Sequence, residues 1–403
     1  MLFQTLDNKS ECVGVYTNNE LIFGFQDLPD NLSQTWSYAP YLKNRDIEYA
    51  KLYLEEKSLS DVLPEYLLDD WEDVIKTLDA FNRSHVVAKI DMDDNCFYDL
   101  VPTRFLIDLC EVKNKITHHI FMKYPKPQRY EFYKHVHIML RDIEERQVRY
   151  DRKMISSYVT SVKMGGHAKS LLSCKPRVAY KQFGTVTGRL TTKRHSFPIL
   201  TLPKVFRRAV VPTNDFFVEL DFNGAEIRTL IGLLGREQPT IDIHRHHMKE
   251  VFDHTITRDQ AKQSFFAWLY GSKKHKASPE GLKLDTFYDK KTLLDKHYIN
   301  GVVTTPYKKE IKNTSQHHAL NYLIQSTTAE LVLKQALKIN YYLERSMSES
   351  FLAFIIHDAI VLDMKKEDVE QLREIKHLMS STNFGSFEIN VKKGTNLGDL
   401  KVG

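Results

Sequence analysis

The pattern of apolar and polar positions gives the first half of the chain a short strand-rich start followed by helices. ECVGVY and ELIFGF flank an Asn-rich turn and predict a β-hairpin within residues 1–30. Helical spacing predicts acidic helices over 46–56 and 69–81. It also predicts two longer helices within 102–151, separated by the two prolines of Pro125-Lys126-Pro127.

The second half mixes apolar strands with helices. FFVELDF (216–222) reads as a buried strand, FLAFIIHDAIVLD (351–363) as two strands broken at His-Asp, and FEINVKKG (387–394) as a final strand. Helical patterns follow FFVELDF and recur later, whereas 272–298 fits neither pattern; the later helices are predicted over 243–253, 257–270 and 316–345. We therefore expect a mixed α+β form of the α/β class, in which antiparallel strands carry acidic groups and helices form a second wall.

Composition sets broad limits on the class of protein. The chain has 403 residues and 42% hydrophobic content, enough for about two to four domain-sized units. It has no apolar run long enough to span a membrane and no basic-then-apolar leader, so we expect a cytoplasmic protein. Its cysteines are Cys12, Cys96, Cys110 and Cys174, and none forms a CxxC pair. Reduced thiols, with neither disulfides nor structural zinc, are the expectation.

The charge of the chain is unevenly distributed. Residues 1–100 hold 20 Asp and Glu against 8 Lys and Arg, while the whole chain carries +5. Residues 152–214 contain thirteen Lys and Arg and no acidic residue. A long segment of one sign favours a polyanionic partner, because each cation can neutralise a phosphate and release a counterion. A solvated basic surface is the alternative.

Two aspartates end apolar strands in the second half. Asp221 closes VELD, and Asp358 lies between FIIH and AIVLD. A charge at an apolar strand end is costly unless it is paired or binds a metal. Two such groups on adjacent strands suit a two-metal site, and oxygen ligands favour Mg²⁺. Taken singly, each aspartate is better explained as a capping or turn residue, and its significance depends on what lies between the two.

One helical segment combines cations with aromatic residues on a single face. Arg258, Lys262, Phe266 and Tyr270 follow one another at steps of four. The two cations are suited to a polyphosphate, and the aromatic rings to a sugar and a base. The alternative is an ordinary amphipathic helix whose cations extend to solvent.

Together these segments resemble the family A DNA polymerases, the group of bacterial DNA polymerase I and several bacteriophage replicases. The match covers roughly 170–403. Six motifs occur in the family's order: Thr187-Gly188-Arg189-Leu190-Thr191, Asp221-Phe222-Asn223-Gly224-Ala225-Glu226-Ile227-Arg228, Asp242-Ile243-His244, Arg258-x-x-x-Lys262-x-x-x-Phe266-x-x-x-Tyr270-Gly271, Asn321-Tyr322-Leu323-Ile324-Gln325 and His357-Asp358.

The resemblance implies attack of a primer 3′-hydroxyl on the α-phosphate of a bound deoxynucleotide. It implies that Asp221, Asp358 and the Phe222 carbonyl hold two Mg²⁺ ions. It places three residues at the triphosphate: Arg258, Lys262 and His244. Lys262 is the candidate that protonates the leaving pyrophosphate.

Further roles follow from the same resemblance. Phe266 and Tyr270 would pack against the nucleotide, and a Phe at this position would disfavour dideoxynucleotides. Glu226 would block a 2′-hydroxyl and so select deoxynucleotides. Primer or template contacts are implied for Arg189, Asn321, Gln325 and His357. The nearby His246 and His247 have no cysteine or carboxylate partner at zinc spacing, so we expect no metal there.

The resemblance also predicts a right-hand architecture with an antiparallel palm sheet, helical fingers and a reduced thumb. The predicted boundaries are an acidic N-terminal domain at 1–135, a thumb or entry segment at 136–175, the first palm part at 176–245, fingers at 246–310 and the second palm part at 311–403.

The chain departs from the family at several points. No exonuclease carboxylate set is evident, and Asp91, Asp93 and Asp94 are interpreted as exposed turn residues. HDA, with Ala359, replaces the commoner HDE. We expect residues 1–135 to dock a separate exonuclease, helicase or processivity subunit. Viral genome replication is the predicted role; translesion or gap-filling synthesis and an inactive DNA-binding scaffold are the alternatives.

Overall fold

The computed structural model describes residues 1–272 and 278–402. It divides into two compact units, Met1–Glu145 and Arg146–Gly403. Within the described residues, no helix has both the length and the apolar character needed to cross a bilayer. The predicted fingers segment includes 273–277, which lie outside the described residues.

Unit 1 begins with a three-stranded antiparallel sheet in the order β1-β2-β3. Its strands are β1 (Gln4–Thr5), β2 (Gly14–Thr17) and β3 (Glu20–Phe23). Thr17 pairs with Glu20, and the two residues between them, Asn18 and Asn19, have φ of 48° and 64°. Positive φ at both central residues is the form of a two-residue hairpin turn that asparagine tolerates. The predicted hairpin is therefore confirmed.

The rest of unit 1 is mainly helical. After the parallel pair β4 (Gln34–Thr35) and β5 (Glu48–Tyr49), the helices are α1 (Ala50–Tyr53), α2 (Leu68–Val87), α3 (Thr103–Lys123) and α4 (Tyr130–Glu145). The two long helices and their proline break are confirmed. Helix α4 continues past residue 135, so unit 1 ends within the segment predicted as the thumb.

The predicted helix over 46–56 is wrong for most of its length. The Tyr49 amide donates to the Tyr130 hydroxyl at 2.6 Å, and Glu48–Tyr49 is a strand. Helix α1 then lasts four residues, since Glu55 and Glu56 take left-handed φ of 51° and 63°. Local helical spacing was overridden by these tertiary contacts.

The expectation of reduced thiols throughout is also wrong. Cys12 and Cys96 form a disulfide across 84 residues, with Cα atoms 5.5 Å apart. Cys110 and Cys174 are free. The pair could not be predicted from the sequence, because the two cysteines are far apart in the chain and belong to no short motif. Only the fold brings residue 12 beside residue 96.

Unit 2 is built on a five-stranded antiparallel sheet in the order β14-β15-β10-β18-β19. Its three predicted strand regions are confirmed. The strands of unit 2 are β6 (Arg149–Tyr150), β7 (Tyr180–Lys181), β8 (Thr191–Thr192), β9 (Val210–Val211), β10 (Phe216–Phe222), β11 (Tyr298–Ile299), β12 (Val302–Thr304), β13 (Glu310–Ile311), β14 (Phe351–Ile356), β15 (Ala359–Met364), β16 (Ser381–Thr382), β17 (Gly385–Ser386), β18 (Ile389–Gly394) and β19 (Lys401–Val402).

Helices cover one side of this unit and enclose a core rich in aromatic residues. That core joins Ile227, Phe265 and Trp268 to Leu320 and Ile324. The helices are α5 (Arg152–Ser156), α6 (Gly165–Ser173), α7 (Lys204–Arg207), α8 (Ala225–Leu233), α9 (Ile243–Glu250), α10 (Arg258–Leu269), α11 (Pro279–Phe287), α12 (Lys290–His297), α13 (Gln316–Arg345) and α14 (Leu372–Ser380). The predicted helix over 316–345 is confirmed with the same bounds.

Candidate active site

The two candidate aspartates lie side by side at one end of the central sheet. Strands β10 and β15 pair so that Asp221 is opposite Ala359, the residue after Asp358. A two-residue turn joins Ile356 to Ala359, and His357 within it has a φ of 55°. His357 is therefore in the left-handed region, which strains an L-residue and occurs at functional turns. The sheet register and this turn together bring the two carboxyl groups into one site.

The electrostatics of this pair are unfavourable without a cation. Desolvation is the largest cause that raises the pKa of Asp221, and Asp358 adds to the rise. Desolvation also raises the pKa of Asp358, although Arg189 and His357 partly oppose it. Asn390 on β18 donates only a long 3.4 Å hydrogen bond to Asp221. Two partly desolvated carboxyl groups of like charge suit a divalent cation.

The donor set fits Mg²⁺ held by few protein ligands. Within residues 1–272 and 278–402, no cluster of three or more His, Cys, Asp or Glu side chains is arranged for a metal. Mg²⁺ is commonly bound by one or two carboxylates that leave positions for water and substrate phosphate. The Phe222 carbonyl accepts a 2.7 Å hydrogen bond from the Gly224 amide. A carbonyl oxygen has a second lone pair, so that bond leaves Phe222 able to coordinate.

Glu226 lies in the first turn of α8, close to the carboxylate pair. It is 4% exposed and forms an ion pair with Arg189. Desolvation raises the pKa of Glu226 to about 7; the Arg189 charge opposes this shift and Asp358 adds to it. The structure thus brings four predicted residues together: Asp221, Asp358, Glu226 and Arg189.

The turn that precedes α8 depends on a glycine. Gly224 has a φ of 74°, and a Cβ there would lie 2.5 Å from Ile243 Cγ2. The buried Arg228 guanidinium holds this turn to the following loop, since it donates to the carbonyls of Asn223, Pro239 and Ile241 at 2.7–2.9 Å. Arg228 therefore has a structural role in the site.

Helix α10 presents the predicted stripe of cations and aromatic rings. Thr257 caps the helix, and Gln260 returns a hydrogen bond to the Thr257 amide. Lys262 and Tyr270 are exposed, while Arg258 and Phe266 are half-buried. The rings of Phe266 and Tyr270 stack with centroids 6.0 Å apart and an interplanar angle of 17°. The stripe is thus a surface and contributes little to the core.

Arg258 is held by an acidic partner at the start of α9. Its Nε and a terminal nitrogen donate to the two Asp242 carboxylate oxygens at 2.9 and 2.7 Å. Burial alone would raise the pKa of Asp242, but hydrogen bonds from Arg258, the Arg245 amide and Asn223 outweigh it and hold that pKa well below its usual range. This bidentate pair was missed from the sequence, although Asp242 directly before a helix indicates a cap.

His244, on α9, lies close to the Phe266 ring of α10. Its side chain is buried, and its ring centroid is 6.4 Å from that of Phe266. Desolvation lowers the pKa of His244 to about 4, so the imidazole is neutral at pH 7. His247 is fully buried and bonded to the Tyr288 hydroxyl, which supports a packing role for it.

Asn223 connects the carboxylate end of the site with the Asp242 group. Its side-chain oxygen accepts from the Ile243 amide at 2.8 Å, and its side-chain nitrogen donates to Asp242 at 3.2 Å. Sequence reasoning assigned Asn223 no role. Its position directly after the strand that ends in Asp221 and Phe222 was the available indication.

The predicted template contacts lie on one face of α13. Asn321 and Gln325 are one turn apart and half-buried, and Asn321 Oδ1 is a buried oxygen with no hydrogen-bond partner among the described residues. Farther along the helix, Ala329 and Val332 line a cleft of about 380 Å³ with Arg189, His357 and Asp358. The helix therefore runs along the carboxylate site, with Asn321 and Gln325 toward its start.

The basic segment 152–214 is largely exposed. Nine of its thirteen cations have exposed side chains: Arg152, Lys153, Lys163, Lys169, Lys175, Lys181, Arg194, Lys204 and Arg208. The segment forms small paired strands and short helices beside the sheet. Exposed cations without neighbouring carboxylates in the same segment give a surface suited to a polyanion.

Three comparisons relate the chain to known proteins. Residues 283–400 match the model of DNA polymerase family A. A stretch of 91 residues is 34% identical to a DNA polymerase of Bacillus phage SP01, and this stretch is 22% of the chain but 9% of that protein. The chain thus spans a small part of the length of the curated relative that it matches.

The fold resembles a solved polymerase domain. The structure titled "POL domain of Pol1 from M. smegmatis complex with DNA primer-template and dNTP" aligns with a TM-score of 0.58 at 12% identity, over 73% of this chain and 76% of that one. At this identity the likeness concerns the fold alone. The predicted mixed fold with an antiparallel sheet is confirmed.

Proposed function

We propose that the chain is a template-directed DNA polymerase, because residues 283–400 match the model of DNA polymerase family A. It would add deoxynucleotides to a primer 3′-hydroxyl in the replication of a phage genome. The observation that carries the proposal is the register of β10 against β15, which sets Asp221 beside the Asp358 turn. Glu226, the helix α10 stripe and the basic segment then surround that pair with the groups that nucleotide and DNA require.

The carboxylate pair supports a site for two Mg²⁺ ions. When bound, such ions would stabilise charge on the attacking and leaving oxygens of the phosphoryl transfer. Asp221 and Asp358 supply anionic ligands, and among the described residues no Lys or Arg donates a short hydrogen bond to either of them. The Phe222 carbonyl is the third protein ligand in this proposal.

The nucleotide would lie between the carboxylate pair and helix α10. Arg258 and Lys262 would hold the triphosphate, Arg258 through its planar fork and Lys262 as a point charge that can give a proton to pyrophosphate. The neutral His244 can donate one hydrogen bond to a phosphate oxygen. Phe266 and Tyr270 offer a stacked aromatic surface for the sugar and base.

Glu226 supports selection of the sugar. Its carboxyl group is buried and fixed by Arg189, so it forms a wall that cannot move aside for an extra hydroxyl at low cost. We expect incorporation of deoxynucleotides to exceed that of ribonucleotides strongly. Equal primer extension with both would contradict this role of Glu226.

The DNA would follow the basic segment and the exposed face of α13. Phosphate contacts by exposed Lys and Arg position a duplex without reading its sequence. Arg189, Asn321, Gln325 and His357 would contact the primer terminus and the template beside the carboxylate pair.

Primer extension with Mg²⁺ and the four deoxynucleotides tests the function. Wild type should extend the primer only as the template directs, and Asp358→Ala should abolish extension. Asp253→Ala is the matched control, because Asp253 in the same unit has an 80% exposed side chain. Extension that survives in Asp358→Ala would overturn the proposal.

The acidic unit 1 would serve a separate role. Its helix α2 exposes Asp69, Asp70, Glu72 and Asp73, which favours a basic protein surface such as that of an exonuclease, helicase or processivity subunit. The Asp91 side chain accepts from the Asp93 amide at 2.9 Å, so these acids form a turn and we assign them no catalysis. Short products from the lone chain are expected; long products would remove the need for a partner. The host-cell cytoplasm is the proposed location.

A further inference from the structure

We propose that Tyr180 is a positioning residue for the carboxylate site. Its hydroxyl group fixes the strand that leads to Asp358 against the segment that carries Arg189. This inference rests on the proposed polymerase function and deepens it. Tyr180 belongs to none of the six motifs, and its hydrogen-bond partner, Ile355, is 175 residues later in the chain.

Strand β14, which leads into the Asp358 turn, is the first strand in the order of the central sheet and therefore lies at its edge. Ile356 is opposite Ala359 where the two-residue turn closes, and Ile355 is opposite Ile360. In antiparallel strands, successive residues direct their amide and carbonyl groups alternately toward the partner strand and away from it. Ile355 directs both groups away from β15, and buried backbone groups require other partners.

The Tyr180 hydroxyl supplies both of those partners. It donates to the Ile355 carbonyl at 2.8 Å and accepts from the Ile355 amide at 3.0 Å. Tyr180 is 3% exposed, and both hydrogen bonds are buried. One phenol oxygen thus takes the place of a neighbouring strand at this residue. Without the hydroxyl, a buried amide and a buried carbonyl would lose their partners, so the strand would shift to satisfy them.

The same tyrosine lies at the base of the hairpin that carries Arg189. Strands β7 and β8 pair so that Tyr180 is opposite Thr192, and Arg189 is in the loop between these strands. Arg189, Ile355 and Asp358 line one cleft. Tyr180 therefore joins the segment that is predicted to meet the primer terminus to the strand that presents a proposed metal ligand.

The Asp358 turn depends on support at both of its ends. His357 has a φ of 55°, and such a conformation persists only where the surrounding structure holds it. Pairing of β15 with β10 holds the end that follows Asp358. The two Tyr180 bonds hold the end that precedes it, at Ile355. Because small displacements of reacting groups slow a reaction strongly, we expect the hydroxyl to act on the rate of transfer.

Tyr180→Phe tests this role, since it keeps the ring and removes only the hydroxyl. In primer extension by the full chain with Mg²⁺, kcat should fall about tenfold to a hundredfold. The KM for deoxynucleotides and the Kd for primer-template should stay within about twofold of wild type. An unchanged kcat would overturn the inference. A loss confined to DNA affinity would also overturn it, because the hydroxyl would then act on the primer segment alone.

Tyr298→Phe is the matched control. The Tyr298 hydroxyl donates to the Thr314 carbonyl at 2.8 Å, so this variant also removes a tyrosine-to-backbone hydrogen bond from unit 2. Tyr298 is on β11, in a different sheet from the carboxylate pair. Both variants should lower the melting temperature by a few degrees, but only Tyr180→Phe should lower kcat. Equal losses of kcat in the two variants would show a general effect of stability and contradict the proposed role.

Two further measurements do not depend on catalysis. Mg²⁺ should raise the melting temperature of wild type. This shift should shrink in Tyr180→Phe and persist in Tyr298→Phe; a full shift in Tyr180→Phe would count against the inference. In wild type, the Ile355 amide should exchange slowly with solvent, although it is on an edge strand. Rapid exchange there would overturn the inference even if Tyr180→Phe did not fold.

The outcomes also separate this inference from the proposed function. If wild type does not extend a primer, the polymerase proposal fails, and the exchange and melting measurements still decide whether Tyr180 supports the Asp358 turn. If wild type extends the primer and Tyr180→Phe does so at the same rate, only the role of Tyr180 fails.

Discussion

The carboxylate pair and helix α10 handle their charges in opposite ways. Asp221 and Asp358 lie together with raised pKa values, and desolvation is the main cause at both. On α10, Arg258 is already neutralised by the bidentate Asp242, and Lys262 is exposed to water. The carboxylate pair has no neutralising partner before a ligand binds. Arg258, in contrast, is already neutralised by Asp242 and must exchange that partner for a ligand.

This difference indicates what each region contributes. A site that keeps like charges together loses stability until cations bind, which is the usual relation between stability and function at catalytic centres. Helix α10 is half-exposed and its Arg258 already has a partner, so small changes near it alter ligand binding only gradually. We therefore expect changes at the carboxylates to have all-or-none effects on activity, and changes near α10 to have graded effects.

The largest effect is expected for Asp358→Asn. Primer extension should fall by roughly a thousandfold or more, because a ligand of the metal site is lost. The unfolding free energy measured in EDTA should rise by about 1 kcal/mol, since a like-charge contact is removed. Thermal or urea unfolding and single-turnover extension measure the two quantities.

Asp363→Asn is the contrasting control, on strand β15 directly after the Asp358 turn. The Asp363 carboxylate accepts from the amides of Thr213 and Asn214 at 2.7 and 2.9 Å, so its loss should lower the stability. If both substitutions shift stability in the same direction, the carboxylate pair is not the unsatisfied site described here.

A smaller, graded effect is expected for Phe266→Tyr. The added hydroxyl would lie at the proposed nucleotide site, where one new hydrogen bond could replace that of a missing 3′-hydroxyl. Termination by dideoxynucleotides should increase roughly tenfold with little change in stability. Gel analysis of termination ratios measures it, with Phe287→Tyr in the same core as the control. A ratio that stays at the wild-type value would remove Phe266 from the nucleotide site.

Asp242→Asn should have an effect of a few fold. The variant keeps a helix cap but frees the Arg258 fork, so the KM for deoxynucleotides should fall about two- to fivefold while kcat changes little. Asp259→Asn is the control, because Asp259 also contacts Arg258 but has an 82% exposed side chain. A KM that rises instead would mean that Asp242 positions Arg258 for the nucleotide and does not compete with it.

The last effect concerns stability alone and is a pH dependence at Glu226. Its pKa of about 7 in the folded protein lies above the value near 4.3 expected in the unfolded chain, so the folded state retains a proton as pH rises. Wild type should lose about 1–3 kcal/mol relative to Glu226→Gln between pH 4.5 and 7.5. Parallel urea titrations without metal measure this difference. A constant difference across that range would show that Arg189 keeps Glu226 ionised throughout.

The sequence predicted the elements that carry strong periodicity. Strands 216–222 and 351–363 are continuous apolar runs, and a helix at 316–345 is long enough to dominate local alternatives. The order of the motifs also indicated that Asp221 and Asp358 belong to one site. The two-residue turn at His357 sets the register of β14 against β15, and the sequence does not mark this turn with a glycine. The register of β10 against β15, which places Asp221 beside that turn, is a long-range pairing that no local pattern encodes.

Other features depend on contacts that no local pattern encodes. The hydrogen bond that the Tyr49 amide donates to the Tyr130 hydroxyl interrupts a segment with helical spacing. The Cys12–Cys96 disulfide, the Asp242 partner of Arg258 and the bonds between Tyr180 and Ile355 each join residues distant in sequence or on different elements. Sequence reasoning identified individual charges as candidates for the site, yet could not tell which of them the fold would neutralise.

Because of the strand pairing in the central sheet, the site assembles late during synthesis and folding of the chain. Strand β10 pairs with β15 and β18, and the paired residues of those two strands lie about 140 to 170 residues later in the sequence. Contacts so far apart in sequence close large loops and form slowly. Asp221 can therefore meet Asp358 only after the ribosome has synthesised all the residues between them. Nascent or truncated chains that end before residue 351 would lack the proposed metal site.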